Sequence, residues 1–114
     1  MIKFGEGAID MTFITLEEAK SYLRVDSADE DALIESLLLS AERLCVDVSR
    51  LSEEKWEAAK SDTEDDSLMS IRETMRVAIL YTVGYLFEHR EEADHHGLTL
   101  TLRSILFAIR EGVV

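Results

Sequence analysis

The chain has 114 residues, a formal net charge of −12, and 24 acidic side chains against 12 lysines and arginines. This length supports one domain with one core, and the hydrophobic content of 46 % excludes a disordered tail. Nucleic-acid binding is disfavoured, because it needs a basic face and the sequence contains no cluster of basic residues.

Helix-forming residues dominate the composition. Proline is absent, while alanine, leucine and glutamate are abundant, which predicts an all-α fold, a small antiparallel helical bundle with a central apolar helix. The single cysteine, Cys45, excludes an internal disulfide, and no apolar signal segment opens the sequence, so we expect synthesis inside the cell. Residues 1–11 carry two glycines and no helical period, which predicts a flexible leader before a helical domain at 12–114.

Two capping boxes mark the first two predicted helices. Thr15 with Glu18 and Ser27 with Glu30 have the spacing in which a hydroxyl and a carboxylate satisfy backbone donors reciprocally. The first helix should end near Arg24, and the second should cover 28–48. The predicted core stripe of the second helix is Leu33, Leu37, Ala41, Leu44 and Val48, widened by Ile34, Leu38 and Cys45.

Residues 51–66, LSEEKWEAAKSDTEDD, interrupt this pattern with seven acids against two lysines, a local charge of −5. A short helix after Ser52 is compatible with the sequence, but the tract after Ala59 is typical of a solvated loop. We interpret the segment as an exposed acidic excursion with Trp56 as a partner contact, since an aromatic ring can anchor an interface. The alternative is that Trp56 folds back onto its own bundle.

The segment 67–91, SLMSIRETMRVAILYTVGYLFEHRE, has the strongest helical pattern. Apolar residues cover most of its circumference from Met75 to Phe87, which predicts a central helix enclosed by other elements. Ser70 and Glu73 have capping-box spacing at its start. The apolar part is too short for a bilayer span, which needs about 20 such residues.

After a polar hinge at 93–97, a last helix is predicted over 101–110, with Leu102, Ile105, Leu106 and Ile109 facing the core. The remaining apolar residues of this region would form an exposed patch, the predicted self-association surface. Its members are Leu98, Leu100, Phe107, Val113 and Val114. The predicted acceptor on a neighbouring copy is the second stripe of the 28–48 helix, around Leu38 and Cys45.

Histidines offer one conceivable metal site. His89, Glu92 and His96 have spacings that can share a helix face, but solvated hinge histidines are the simpler interpretation. Cys45 has no histidine near it in sequence, so we expect structural burial.

Paired carboxylates offer one conceivable enzyme site. The E-x-x-E spacing at 54–57 and the E-x-x-D spacing at 91–94 match those with which helical pyrophosphatases bind magnesium. The first pair lies in the acidic excursion and the second at a fraying helix end, so a shared cleft is not expected. We therefore predict no catalytic, cofactor-binding or metal-binding residues, and no enzyme activity.

Two sequence blocks, TLEEAKSYLRVD at 15–26 and DALIESLLLSA at 31–41, resemble the opening of the head–tail connector (adaptor) family of tailed bacteriophages. Members of that family were formerly regarded as DNA-packaging proteins. The later part is also similar, with an apolar helix ending in YLFEHR at 85–90, a short link, and a final helix containing LRSIL at 102–106. The resemblance extends over about 11–110.

This resemblance implies a structural subunit of a homo-oligomeric ring of about a dozen copies. The ring would dock under the phage portal protein, extend the DNA channel and join the capsid to completion or tail proteins. DNA would pass through without specific binding, and acidic walls suit that role because they repel phosphate over about 8–10 Å. The implied location is the virion head–tail junction, after synthesis in the bacterial host cytoplasm, with no membrane partner. The alternative is an acidic helical protein-interaction adaptor or regulator without catalytic activity.

Overall fold

The longest helix in the described part of the computed structural model, α4 (Asp66–Glu88), contacts each of the other described α-helices. Before it come α1 (Leu16–Leu23), α2 (Asp31–Ser49) and α3 (Glu53–Lys60), and after it come α5 (His95–Ile105) and a 3-10 helix (Phe107–Ile109). The structure describes residues 12–61 and 63–110, and these ranges contain no strand, so the predicted all-α fold is confirmed. The predicted leader at 1–11, together with Val113 and Val114, lies outside the described residues.

Helix α4 begins four residues before the predicted capping box. Asp65 is its N-cap, and the Asp65 carboxylate accepts hydrogen bonds from the backbone N–H groups of Ser67 (2.9 Å) and Leu68 (3.3 Å). The Ser67 hydroxyl donates a further hydrogen bond, and these bonds hold the pKa of Asp65 below its ordinary value. The predicted cap at Ser70 is therefore wrong, because Asp65 already satisfies the helix start.

One face of α4 is buried and another is open. Val77 and Tyr81 are 58 % and 37 % exposed, so the prediction of a helix enclosed over most of its circumference is wrong. The reason is the length of the neighbours, since α1 and α3 have only eight residues each and cannot cover the 23 residues of α4. The buried face consists of Ile71, Met75, Ala78, Ile79, Thr82 and Val83.

The cap of α1 is half of the predicted capping box. The Thr15 hydroxyl accepts a hydrogen bond from the Glu18 backbone N–H at 3.0 Å, as predicted. The Glu18 carboxylate, however, accepts two hydrogen bonds from the Arg76 guanidinium, at 2.7 and 2.9 Å. This ion pair joins α1 to α4. The second predicted box is wrong, because the Ser27 hydroxyl accepts from Asp29 and α2 begins without a side-chain cap.

The buried stripe of α2 combines Ala41 of the predicted core stripe with Ile34, Leu38 and Cys45, which were predicted only to widen it, and with Ser49. Ile34, Leu38, Ala41, Cys45 and Ser49 are fully buried, whereas Leu33, Leu37, Leu44 and Val48 are half-buried. Ala41, Cys45 and Ser49 have small side chains, which allow close approach of a facing helix. Because α2 and α4 share the largest helix–helix contact of the described residues, this stripe forms the centre of the core.

The first part of the 51–66 segment packs against the bundle as α3, whereas Ser61, Glu64 and Asp65 are exposed, as expected for a solvated tract after Ala59. The Ser52 hydroxyl accepts a hydrogen bond from the Lys55 backbone N–H and caps α3. Trp56 is 4 % exposed, contacts the Phe13 ring edge to face at a centroid distance of 5.4 Å, and donates its indole N–H to Glu42 at 3.1 Å. Trp56 therefore folds back onto its own bundle.

Helix α5 begins in the segment that was predicted as a hinge. The Asp94 carboxylate accepts a hydrogen bond from the Gly97 backbone N–H at 2.9 Å, and the helix starts at His95. A Cβ atom at Gly97 would lie 2.6 Å from the Asp94 carboxylate, so glycine permits this cap. As a result, Leu98 enters the first turn of α5, where it is 2 % exposed and packs into the core.

Candidate interaction surfaces

The three histidines lie at helix ends. His89 is the C-cap of α4, where its ring stacks on Tyr85 at 4.2 Å and its Nδ1 lies 2.9 Å from the Tyr85 carbonyl oxygen. His95 and His96 are exposed in the first turn of α5. Within residues 12–61 and 63–110, no group of three or more histidine, cysteine, aspartate or glutamate side chains could hold a metal ion.

The Cys45 thiol is fully buried beside Thr82, with 3.6 Å between sulfur and hydroxyl oxygen. The Thr82 hydroxyl donates to the Ala78 carbonyl at 2.8 Å, so the thiol is the donor toward Thr82. Burial raises the pKa of Cys45 from 9.0 to about 11. A thiol that stays protonated at neutral pH is not a nucleophile, so Cys45 has a structural role.

We expect this thiol to make the protein less stable in alkali. Below pH 9 the Cys45 thiol is protonated in both the folded and the unfolded protein. Above pH 9 the thiol of the unfolded protein ionises first, so the folded protein loses stability as the pH rises toward 11. The loss should reach up to about 2.5 kcal/mol across that window. Urea unfolding of the parent and of Cys45→Ala at pH 8 to 11 measures this loss of stability. Lysines and tyrosines also titrate in this range, and their contribution is present in both proteins. Parallel stability curves for the two proteins would contradict the assignment.

The structure separates the predicted self-association residues into two groups. Leu38, Cys45 and Leu98 are 1 %, 0 % and 2 % exposed, so the expectation that they lie on the surface is wrong. The physical reason is that the small residues of α2 face α4 and that α5 starts early enough to bury Leu98. Leu100 and Phe107 are 49 % and 65 % exposed, and they remain candidates for contact with a partner.

Three arginines that are far apart in sequence line one concavity of about 390 Å³. Arg50 follows the end of α2, Arg103 lies on α5, and Arg110 follows the 3-10 helix. The Arg110 guanidinium donates a hydrogen bond from Nε to the Val48 carbonyl at 2.9 Å, which fixes it against α2. The other lining residues are Asp47, Val48 and Thr99. We call this site the arginine concavity.

The exposed apolar residues of the C-terminal region adjoin this concavity. Leu100 follows Thr99, which lines the concavity, and lies three residues before Arg103 on α5, whereas Phe107 begins the 3-10 helix that precedes Arg110. Leu100 and Phe107 are predictable from the sequence, because they are apolar residues outside the predicted core stripe. The three arginines are not, because no local pattern connects positions 50, 103 and 110.

A second concavity, of about 440 Å³, lies between α1 and α4. Tyr22 and Tyr81 line it and are 50 % and 37 % exposed. A Cβ atom at Gly84 would lie 3.1 Å from the Tyr22 ring, so the glycine lets that ring lie close to the α4 backbone. We call this site the tyrosine groove. The sequence pattern had assigned Tyr81 to the enclosed circumference of the central helix and therefore missed it.

Acidic side chains cover the outer face of α3. Glu53, Glu54 and Glu57 are exposed, and Glu64 and Asp65 continue the negative surface toward α4. Trp56 and Ala59 are buried on the opposite side of α3, so the helix presents its acids from a fixed position. We call Glu53, Glu54 and Glu57 the acidic face.

No helix in the described part of the chain is both long enough and apolar enough to cross a membrane. A family model described as "Phage gp6-like head-tail connector protein" matches residues 13–111, a range that includes α1 to α5 and the 3-10 helix. No similar curated protein and no similar solved structure was found.

Proposed function

Since the chain belongs to the phage gp6-like head–tail connector family, we propose that it is the subunit of a ring that docks under the phage portal. In this proposal the ring extends the DNA channel and joins the capsid to head–tail completion or tail proteins at the virion head–tail junction. The observation that carries the proposal is the family match over 13–111, nearly the whole chain.

The distribution of exposed apolar residues supports a ring. In a cyclic assembly each subunit contacts its neighbours through two different surfaces. The described residues include two separate candidates, the tyrosine groove between α1 and α4, and the exposed Leu100 and Phe107 of the C-terminal region. Exposed aromatic residues of this kind are enriched in protein–protein interfaces.

The charge of the chain supports a channel through which DNA slides without being held. A net charge of −12 repels phosphate, and the repulsion acts over about a Debye length, roughly 8 Å in physiological salt. We therefore expect no change in the fluorescence anisotropy of a labelled DNA duplex when the protein is added at physiological salt.

The second candidate function is an acidic helical adaptor or regulator without catalytic activity, which the same charge and the same exposed surfaces permit. The mass under native conditions separates the two. Rings formed by the protein alone, or on addition of the portal protein of the same phage, support the connector subunit. A monomer or dimer that persists with the portal present contradicts the ring and favours the adaptor.

Replacing Phe107 with glutamate should leave the fold intact and weaken assembly. Phe107 is 65 % exposed, so a charge there costs little in the free protomer, whereas it would be buried in an interface. We expect unfolding by urea to change by less than about 0.5 kcal/mol. We expect the native mass to shift toward the monomer. Ser104→Glu, at an exposed polar position on α5, is the control. If Phe107→Glu assembles like the parent, Phe107 is not in the interface.

A further inference from the structure

The arginine concavity gathers positive charge on a chain whose net charge is −12. Resting on the proposed ring, we infer that this concavity receives the acidic face of α3 from the neighbouring copy. The contact would then join Arg50, Arg103 and Arg110 of one subunit to glutamates of the next.

The arginines are arranged to bind carboxylates. A guanidinium presents N–H donors in a planar fork that matches a carboxylate with two parallel hydrogen bonds. Arg110 uses its Nε for the Val48 carbonyl, which fixes the plane of the group and leaves its terminal nitrogens for a ligand. Among the described residues, none forms an ion pair with Arg50 or Arg103. Their charges are therefore available to a partner.

The apolar surroundings point to a protein partner and not to a polyanion. Leu100 and Phe107 are exposed and lie within four residues of Arg103 along the chain. Arginine and aromatic residues are the types enriched in the centres of protein interfaces, where apolar contact supplies affinity and charge supplies register. A phosphate backbone would use the arginines and gain nothing from the two apolar side chains.

The acidic face has the complementary properties. Its three glutamates are exposed on a helix that buried Trp56 anchors to the core. Glu57 is paired with Lys60 at 2.9 Å, so Glu53 and Glu54 are the two that approach a partner with little loss of backbone freedom. Its residues are entirely different from those of the arginine concavity. One subunit can therefore offer its acidic face to one neighbour and its concavity to the other, which is the heterologous contact of a ring.

Repulsion between the negatively charged copies favours a contact between acidic and basic surfaces. Copies that each carry −12 repel one another, so a contact that places acids opposite arginines is favoured over one that places acids opposite acids. The proposed contact also gives the assembly its direction, because each junction has one basic and one acidic side.

Charge reversal tests the contact, with the association constant measured by sedimentation equilibrium. Arg50→Glu with Arg103→Glu brings the net charge to −16, since each substitution changes −12 by −2. Glu53→Arg with Glu54→Arg brings it to −8 by the same arithmetic with opposite sign. We expect each double variant to lose at least about tenfold in association. A loss in the second variant is diagnostic, because general charge repulsion predicts that a less negative chain associates more strongly.

Mixing the two double variants should restore association. At one junction the new arginines of α3 meet the new glutamates of the concavity, and at the next junction the native glutamates meet the native arginines. The control is Arg43→Glu with Arg90→Glu, which also gives −16 at exposed positions outside both the concavity and the tyrosine groove. It should associate at least about tenfold more strongly than the Arg50 and Arg103 variant. Melting temperatures and circular dichroism check that every variant is folded.

Each other outcome overturns the inference. If the parent assembles and the double variants assemble equally well, the ring stands and this contact is wrong. Equal loss in the Arg43 and Arg90 control shows a general charge effect. Binding of labelled duplex DNA by the parent, abolished in the Arg50 and Arg103 variant, makes the concavity a nucleic-acid site. A parent that stays monomeric with and without the portal protein contradicts both the ring and the contact.

Discussion

Replacing Met75 with aspartate should prevent folding at ordinary temperature. Met75 is fully buried on the face of α4 that contacts the rest of the bundle, and it belongs to the main core cluster. An aspartate there would place a carboxylate among apolar side chains without a partner. The cost is several kcal/mol, comparable with the whole stability of a small domain, which is about 5–15 kcal/mol. Circular dichroism and the fluorescence of Trp56, the single tryptophan, report the loss.

The control for this substitution lies two residues away on the same helix. Val77 is 58 % exposed, so Val77→Asp adds the same charge to the same helix but leaves it in water. We expect a change of less than about 1 kcal/mol for this variant. If both variants melt at the same temperature as the parent, the buried face of α4 has been assigned wrongly.

Helices were predictable from the sequence, whereas the buried side of each helix was predictable only in part. In α2 two apolar stripes lie next to each other, and both satisfy the helical period. The deciding factor is the size of the side chains that face α4, since Ala41, Cys45 and Ser49 allow close packing. Size acts through the partner helix, which a pattern within one helix does not contain.

Helix starts were predictable where the capping residue is close in sequence. The predicted capping box is incomplete where its glutamate carboxylate binds a distant residue. Thr15 caps α1 as its spacing predicts. Glu18 binds Arg76, a residue 58 positions away, and so does not complete the capping box. The start of α5 was missed because Gly97 was interpreted as a hinge, whereas the glycine makes room for the Asp94 cap.

The candidate surfaces were likewise predictable only where a single helix determines them. Leu100 and Phe107 were identified from the sequence because they fall outside the core stripe of one helix. The arginine concavity needed the fold, since α2, α5 and the 3-10 helix must meet before Arg50, Arg103 and Arg110 are neighbours. For the same reason a sequence without a basic cluster can fold into a protein with a local basic site.

Glu42 explains why the acidic tract after α2 packs against the bundle. One carboxylate oxygen accepts the Phe13 backbone N–H at 2.8 Å, and the other accepts the Trp56 indole N–H at 3.1 Å. Lys60 lies 3.8 Å from the second oxygen. A single half-buried carboxylate thus joins the segment before α1, the middle of α2, and α3. Its partners are spread over the sequence, so no local pattern indicates its role.

Replacing Glu42 with alanine should therefore destabilise the protein by about 2–6 kcal/mol, because two N–H donors lose their acceptor and each unsatisfied buried group costs about 1–3 kcal/mol. Glu42→Gln keeps one carbonyl oxygen as an acceptor, and we expect roughly half of that cost. Glu35→Ala, at an exposed position of the same helix, should change stability by less than about 0.5 kcal/mol. Urea unfolding measures all three variants, and the emission maximum of Trp56 shows whether α3 detaches. A red shift in native Glu42→Ala, with circular dichroism otherwise retained, means that α3 detaches while the other helices stay folded. Equal stability of the alanine and glutamine variants would show that the ion pair with Lys60, and not the two hydrogen bonds, carries the effect.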